Sequence, residues 1–391
     1  MSQIAVRAAF DACAAYDCPA VFIASRNQVD LHDLGGGYLM GGMDQGAFVC
    51  LLREAGDAAG YRGPVYVCRD HGGPWQRNAE LDSRLPVAEA MAIARRSFAA
   101  DIEAGFNYLH IDPTKCPHPY TQDDLVGWTA GLVAFCEATR NGLAAEPIDY
   151  EVGTEDIRGG LTTPDACEDF LQKLTARLAA DGLPLPTCVV GQTGTLCRTD
   201  RNVGRFDVDG TRRLVAIAAA HGIGFKEHNG DYLSAASCRV HPDLGVTGMN
   251  VAPEFGLVET DALLALADLE AKLVREGWLP DAQASHLREL CRAKTFAHSP
   301  WPKWMTDEVK ILPRERVEPD AALRRLIARV CGHYVYDDPE VKRARARLCA
   351  NVDRFELVES AEAFVLGRVR AAIEFYLRHF RLHGVNELAR G

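Results

Sequence analysis

Five short stretches place acid–base or metal-binding side chains directly behind apolar runs. Asp70 and His71 follow "VYVCR", Asp112 follows "YLHI", Glu151 sits in "IDYEVG", Gln192 follows "TCVVG" and His228 follows "FKE". Two imidazoles, a carboxylate and an amide present nitrogen and oxygen donors together. That set suits a divalent metal, Zn²⁺ first and Mn²⁺ or Co²⁺ next, better than Ca²⁺. A single carboxylate at such a position usually caps a helix or meets an arginine. Five successive runs ending this way fit chance much less well. Lys226 lies two residues before His228, hence on the same strand face, where it would pair with a carboxylate or touch substrate. His110 shares a face with Asp112 and reads as a residue that orients a neighbour. Asn27 and Gln28 follow the first run and would bind substrate hydroxyls or fasten their own loop. Trp75 and Arg77 follow His71 and read as loop anchors, with closure over substrate as the alternative.

Such residues need a scaffold that aims them at one point. The apolar runs begin at Ala20, Val65, Tyr108, Ile148, Thr187, Phe225 and Gly245, and amphipathic stretches alternate with them. Several of these stretches start at Asp or Thr and end in Gly, as capped helices do. Strands apolar on both faces, each followed by a helix, predict a parallel sheet covered by helices. Seven of them within about 250 residues predict a TIM (β/α)8-type barrel, whose chemistry sits at the C-terminal ends of the strands. The chain opens on a helix, so this barrel lacks its first strand or takes it from a later segment. After Asp261 the pattern becomes helical throughout, broken by a Pro- and charge-rich connector from Ser299 to Pro319. The expected organisation is a barrel with a metal site over residues 1–280 and a C-terminal α-helical extension over 281–391. The latter would pack on the barrel or on a partner subunit.

Composition narrows the function. The chain has 391 residues, a net charge of −11 and 48% hydrophobic residues, which disfavours a nucleic-acid binder, since phosphate neutralisation needs a basic face. No uncharged apolar run is long enough to span a bilayer, and the N-terminus lacks the signature of a secretory signal. Thirteen scattered cysteines without a CxxC pair read as reduced thiols, so a cytoplasmic protein is expected. There is no HExxH, no GxSxG and no Walker A motif. The glycine-rich "GGGYLMGG" from Gly35 reads as a mobile loop.

The stretches "SRNQVD", "RDHGGPWQRN", "LHIDPTK", "YEVGTED", "VVGQTGT" and "KEHNGDY" appear in this order from Ser25 to Tyr232. In them the chain resembles the class II aldolase superfamily, and more closely the family of class II tagatose-bisphosphate aldolase non-catalytic subunits, also labelled tagatose-6-phosphate kinase. The resemblance implies Asp70 as the acid/base carboxylate and His71, Glu151 and His228 as metal ligands, with Gln192 where the catalytic enzymes carry a third histidine. It puts Asp112 near metal or substrate. In the phosphate-binding region it matches Asn250 but adds Asp231 and Glu254. Two carboxylates there repel a dianion and favour a neutral polyol end or a phosphate held elsewhere. The implied activity is metal-dependent making and breaking of the C3–C4 bond of a ketose or ketose phosphate, or epimerisation at C4 by cleavage and rejoining. The rival reading is a non-catalytic subunit that stabilises a partner aldolase. A homo-oligomer or such a mixed assembly follows. An ATP-dependent kinase is disfavoured, because no ATP-phosphate motif is visible.

Overall fold

All seven apolar runs become strands of one parallel sheet in the computed structural model, which describes residues 1–153 and 161–389. These are β1 (Ala20–Ser25), β2 (Val65–Gly72), β3 (Tyr108–Ile111), β4 (Asp149–Gly153) and β5 (Cys188–Val190). A small antiparallel hairpin, β6 (Cys197–Arg198) and β7 (Arg201–Asn202), precedes β8 (Gly224–Glu227) and β9 (Gly248–Met249). The spatial order of the large sheet is β1-β2-β3-β4-β5-β8-β9. Each large-sheet strand therefore lies beside its sequence neighbour, as in a TIM-type barrel.

The helices are α1 (Gln3–Tyr16), α2 (Gln45–Ala58), α3 (Asn78–Asp82), α4 (Val87–Ala104), α5 (Gln122–Leu143), α6 (Pro164–Ala180), α7 (Val208–Ala220) and α8 (Ala235–Leu244). Then come α9 (Pro253–Arg275), α10 (Leu287–His298), α11 (Asp307–Lys310), α12 (Arg314–Val317), α13 (Ala321–Cys331), α14 (Pro339–Arg354), α15 (Ala361–His379) and α16 (Val385–Ala389). The expected caps are in place. The side chains of Asp44, Thr121, Thr163 and Asp207 each accept a first-turn N–H, and Gly105 and Gly245 end α4 and α8 in left-handed conformation. The connector after Ser299 contains a 3₁₀ turn, Trp301–Trp304, and the single-turn helices α11 and α12.

No eighth barrel strand occurs among the described residues, and β1 and β9 are the two edges of the sheet. A helix spans the seam instead. α15 packs on α1, which leads into β1, and on α8 and α9, which follow β8 and β9. Its Val369, Ile373 and Leu377 join the main core, alongside Phe10 of α1, Phe22 of β1 and Phe225 of β8. A second core joins Leu263 and Leu266 of α9 to Leu287 of α10, Val341 and Leu348 of α14 and Val365 of α15. The extension is thus fixed to the barrel by buried apolar surface, at roughly 25 cal/mol for each Å² removed from water. No helix is long and apolar enough to cross a membrane among the described residues. The thirteen cysteines are all free thiols, most of them buried.

Candidate active site and metal centre

Asp70 and His71 are consecutive residues of β2, and a regular strand would send them to opposite faces. The strand breaks its regularity at this point. Its register against β3 shifts between Arg69 and Gly72, and His71 takes φ 45°, a left-handed conformation uncommon outside glycine. Both side chains can then serve one site, and Asp70, His71 and His228 form one group with potential ligand atoms within 4.8 Å of one another. The next two residues must be glycines. A Cβ on Gly72 would stand 2.6 Å from both Arg69 and Phe98, and one on Gly73, at φ 127°, would stand 2.8 Å from the Asp112 carbonyl.

The other strands contribute by simple alternation. His110 and Asp112 leave β3 on one face while Leu109 and Ile111 enter the core. Glu151 points inward from β4 between Tyr150 and Val152. On β8, Lys226 and His228 share the inner face, and Glu227 turns outward to His241 of α8 at 2.7 Å. Glu151 is the hub. Its Oε2 accepts from Lys226 Nζ at 2.5 Å, and its Oε1 lies 3.2 Å from His110 Nδ1 and 3.4 Å from His228 Nε2. His71 Nδ1 lies 2.6 Å from Asp112 Oδ2, while Asp112 Oδ1 accepts from Thr114 N–H at 3.0 Å. The three imidazole rings stand 4.6 to 5.6 Å apart. Asp70 Oδ1 accepts from Asn250 Nδ2 at 2.9 Å, across the barrel mouth.

Charge follows this geometry. Burial resists ionisation of Glu151, but Lys226 and the two histidines outweigh it and hold the carboxyl well below the usual range. Burial likewise opposes ionisation of Asp112, and the His71 hydrogen bond overcomes it. Asp70 is lowered as well, with His71, His228 and Lys226 prevailing over burial. Burial pushes His110 down to about 4 in spite of Glu151 and Asp112. At neutral pH the site therefore holds ionised carboxylates facing a neutral His110, the protonation states that metal binding needs. Two further groups meet the same distance criterion, His71–His110–Asp112 and His110–Glu151–His228. Their imidazole and carboxylate donors fit Zn²⁺, Mn²⁺ or Co²⁺.

Several other expected site residues are held in hydrogen bonds within or between loops or at a helix start. The Gln192 amide oxygen accepts from Gly194 N–H at 2.8 Å, inside its own loop. Gln192 also lines a cavity of about 620 Å³, with Leu161 and Arg205, that none of the histidines borders. Asn27 donates to the Gln76 carbonyl and accepts from Asn78 N–H, and Gln28 accepts from Ser25 N–H, so both fasten loops. Trp75 is fully buried and donates to the Leu85 carbonyl, and Arg77 donates to the Arg26 and Gly36 carbonyls. Both are anchors. Asp231 is buried, and its Oδ1 accepts from Ala252 and Glu254 N–H at 2.9 Å each, at the start of α9. Burial foremost, with the nearby Glu254 adding to it, raises Asp231 to about 7. Glu254 accepts from Tyr232 N–H at 2.6 Å and from the Tyr376 hydroxyl of α15.

His110, expected to orient a neighbour, also lies among the potential ligands. Its position in "YLHID", two residues before Asp112, was the available signal. The end of the "YEVGTED" stretch, beyond Gly153, lies outside the described residues.

Known proteins resemble the chain over nearly its full length. The family described as D-tagatose-1,6-bisphosphate aldolase subunit GatZ/KbaZ-like matches residues 1–367. A probable tagatose 6 phosphate kinase from Sinorhizobium meliloti 1021 is 22% identical, with 97% of each chain covered and a TM-score of 0.76. The fructuronate-tagaturonate epimerase UxaE from Cohnella laeviribosi is 12% identical, covering 97% of this chain and 80% of its own, with a TM-score of 0.56. At these identities both show the fold alone. No curated protein matches significantly. Matched along nearly all its length, this chain belongs to the GatZ/KbaZ-like family of D-tagatose-1,6-bisphosphate aldolase subunits.

Proposed function

We propose that the chain is a metal-dependent, aldolase-type enzyme acting on the C3–C4 bond of a ketose or ketose phosphate of the tagatose or fructose kind. Release of the aldehyde gives cleavage, and rotation followed by rejoining gives the C4 epimer. The observation that carries this reading is the convergence of Asp70 with His71 and His228 at one rim, made possible by the irregular end of β2.

The proposed ligands are His71, Glu151 and His228, with His110 beside them. Gln192 would first have to give up its bond to Gly194. A bound divalent ion supplies Lewis acidity to the ketose carbonyl and its neighbouring hydroxyl. Asp70 takes the proton from the C4 hydroxyl, and that oxygen becomes the aldehyde carbonyl as the C3–C4 bond breaks. The electron pair of the bond stays on the C2–C3 fragment as an enediolate. In synthesis Asp70 returns the proton. Asn250 fixes the Asp70 carboxylate, and Asp112 fixes the His71 ring and its tautomer. Lys226 keeps Glu151 ionised.

A cytoplasmic protein acting as a homo-oligomer or beside a partner aldolase subunit belongs to the same reading. The word "subunit" in the family description favours a second one, in which the chain stabilises a partner and does no chemistry itself. A screen of ketoses and ketose phosphates with the isolated chain separates the two. Aldehyde release or a C4 epimer is expected from the wild type and is lost in Asp70→Asn. Equal traces from both proteins would leave only the stabilising role.

A further inference from the structure

We propose that Arg26 is a positioning residue for the site. Its buried guanidinium holds the irregular end of β2 in the shape that lets Asp70 and His71 serve one centre. This rests on the reading of that centre as a metal-dependent ketose site.

The ladders of the sheet leave His71 unsupported. β1 pairs with β2 only as far as Ser25 and Asp70, and the register against β3 passes from Arg69 directly to Gly72. The left-handed turn at His71 therefore lies where β2 has lost its ladder partners on both sides. Two hydrogen bonds take hold just beyond it. Asp112 N–H donates to the Gly72 carbonyl at 2.7 Å, from the residue that also meets the His71 ring. Arg26 Nη1 donates to the Gly73 carbonyl at 2.9 Å.

Arg26 is the first residue after β1, and its side chain is wholly buried. Its Nε donates to Asp30 Oδ2 at 3.0 Å, and Nη1 and Nη2 meet the Glu80 carboxylate at 2.9 and 2.8 Å. Asp30 is itself fixed, since its Oδ1 accepts from Ser97 Oγ at 2.8 Å and from Leu31 N–H at 3.0 Å. Glu80 lies on α3, the turn that follows the two glycines and Trp75. The guanidinium thus ties the loop after β1 to both ends of segment 73–80. A buried ion network of this kind adds little net stability. One carbonyl and two carboxylates around a single group do require the donor fork of a guanidinium, which the point charge of an ammonium does not reproduce.

NMR of the metal-free full chain with isotopically labelled histidines, and competition titration with Zn²⁺, test this in wild type, Arg26→Lys and Glu80→Gln. His71 Nδ1 faces the Asp112 carboxylate, so wild type should show a downfield ring proton that His71→Gln removes. Arg26→Lys keeps a charge beside Asp30 and Glu80 but cannot also span to Gly73. It is expected to lose that signal and to bind Zn²⁺ roughly 10–100-fold more weakly. Glu80→Gln leaves Arg26 on Gly73 and should keep signal and affinity, although its unfolding midpoint in urea falls. A merely structural role would lower the midpoint of both variants and leave signal and affinity as in wild type. If Arg26→Lys does not fold, the double variant Arg26→Met/Glu80→Gln, which removes both charges, takes its place with the same expectation. A wild type without the signal, an Arg26→Lys protein that keeps the signal or the wild-type affinity, or an equal loss in Glu80→Gln overturns the assignment. A wild type that shows the signal but binds no Zn²⁺ counts against the metal-dependent reading alone, and the signal then decides the role of Arg26.

Discussion

Glu151 has one carboxylate and three partners, and it is almost wholly buried. A buried ion pair adds little net stability, but removing one member leaves an uncompensated charge. Lys226→Met should therefore destabilise the metal-free protein by about 3 kcal/mol. Adding Glu151→Gln should restore most of the loss, since the stranded charge goes with it. Urea unfolding of the two single variants and the double variant measures this coupling. If the losses simply add, Lys226 and Glu151 do not compensate each other. The same pair explains why Lys226 is a poor Schiff-base candidate: Glu151 keeps its ammonium above the ordinary range, against the opposing effect of burial.

At the scale of elements, the end of β2 and the start of α9 carry the most information. Gly73→Ala would add a Cβ 2.8 Å from the Asp112 carbonyl at a backbone angle that favours glycine. A loss of about 1–3 kcal/mol is expected, together with displacement of the Asp112 that holds His71. Unfolding curves report the first and metal affinity the second. At α9, the folded pKa of Asp231 is raised to about 7 from an ordinary 3.8. The folded state then holds an extra proton between those values, so this group's stabilising contribution is full below about pH 4 and fades as pH rises towards 7. Asp231→Asn keeps an oxygen for the two N–H groups and cannot ionise. Relative to wild type, its stability should gain as pH rises from 4 to 7. A difference independent of pH would mean that Asp231 is not shifted.

The strands themselves were readable because each is a short apolar run closed by polar residues. The bulge that lets Asp70 and His71 work together was not, because it depends on pairing with β3. The sequence pattern also could not reveal that Gln192 bonds within its loop, or that Asp231 caps a helix beginning 22 residues later.

For the whole molecule, the extension is part of the barrel's closure. α15 spans the seam between the edge strands β1 and β9, Tyr376 holds Glu254 beside α9, and Trp301–Trp304 reaches the loops around the site. Helical periodicity showed that the extension exists, but its placement comes from contacts between distant parts of the chain, such as Arg7 with Glu362. Whether this assembly is a working enzyme is decided most directly by metal content measured together with ketose turnover on the isolated chain. Wild type should hold one divalent ion per chain and turn over a ketose or ketose phosphate. Asp70→Asn should keep the ion and lose roughly 10²–10⁴-fold in rate, while His228→Ala should lose the ion. A wild-type chain with neither ion nor turnover after loading with Zn²⁺, Mn²⁺ or Co²⁺ would contradict the enzymatic reading and leave the chain a stabilising subunit.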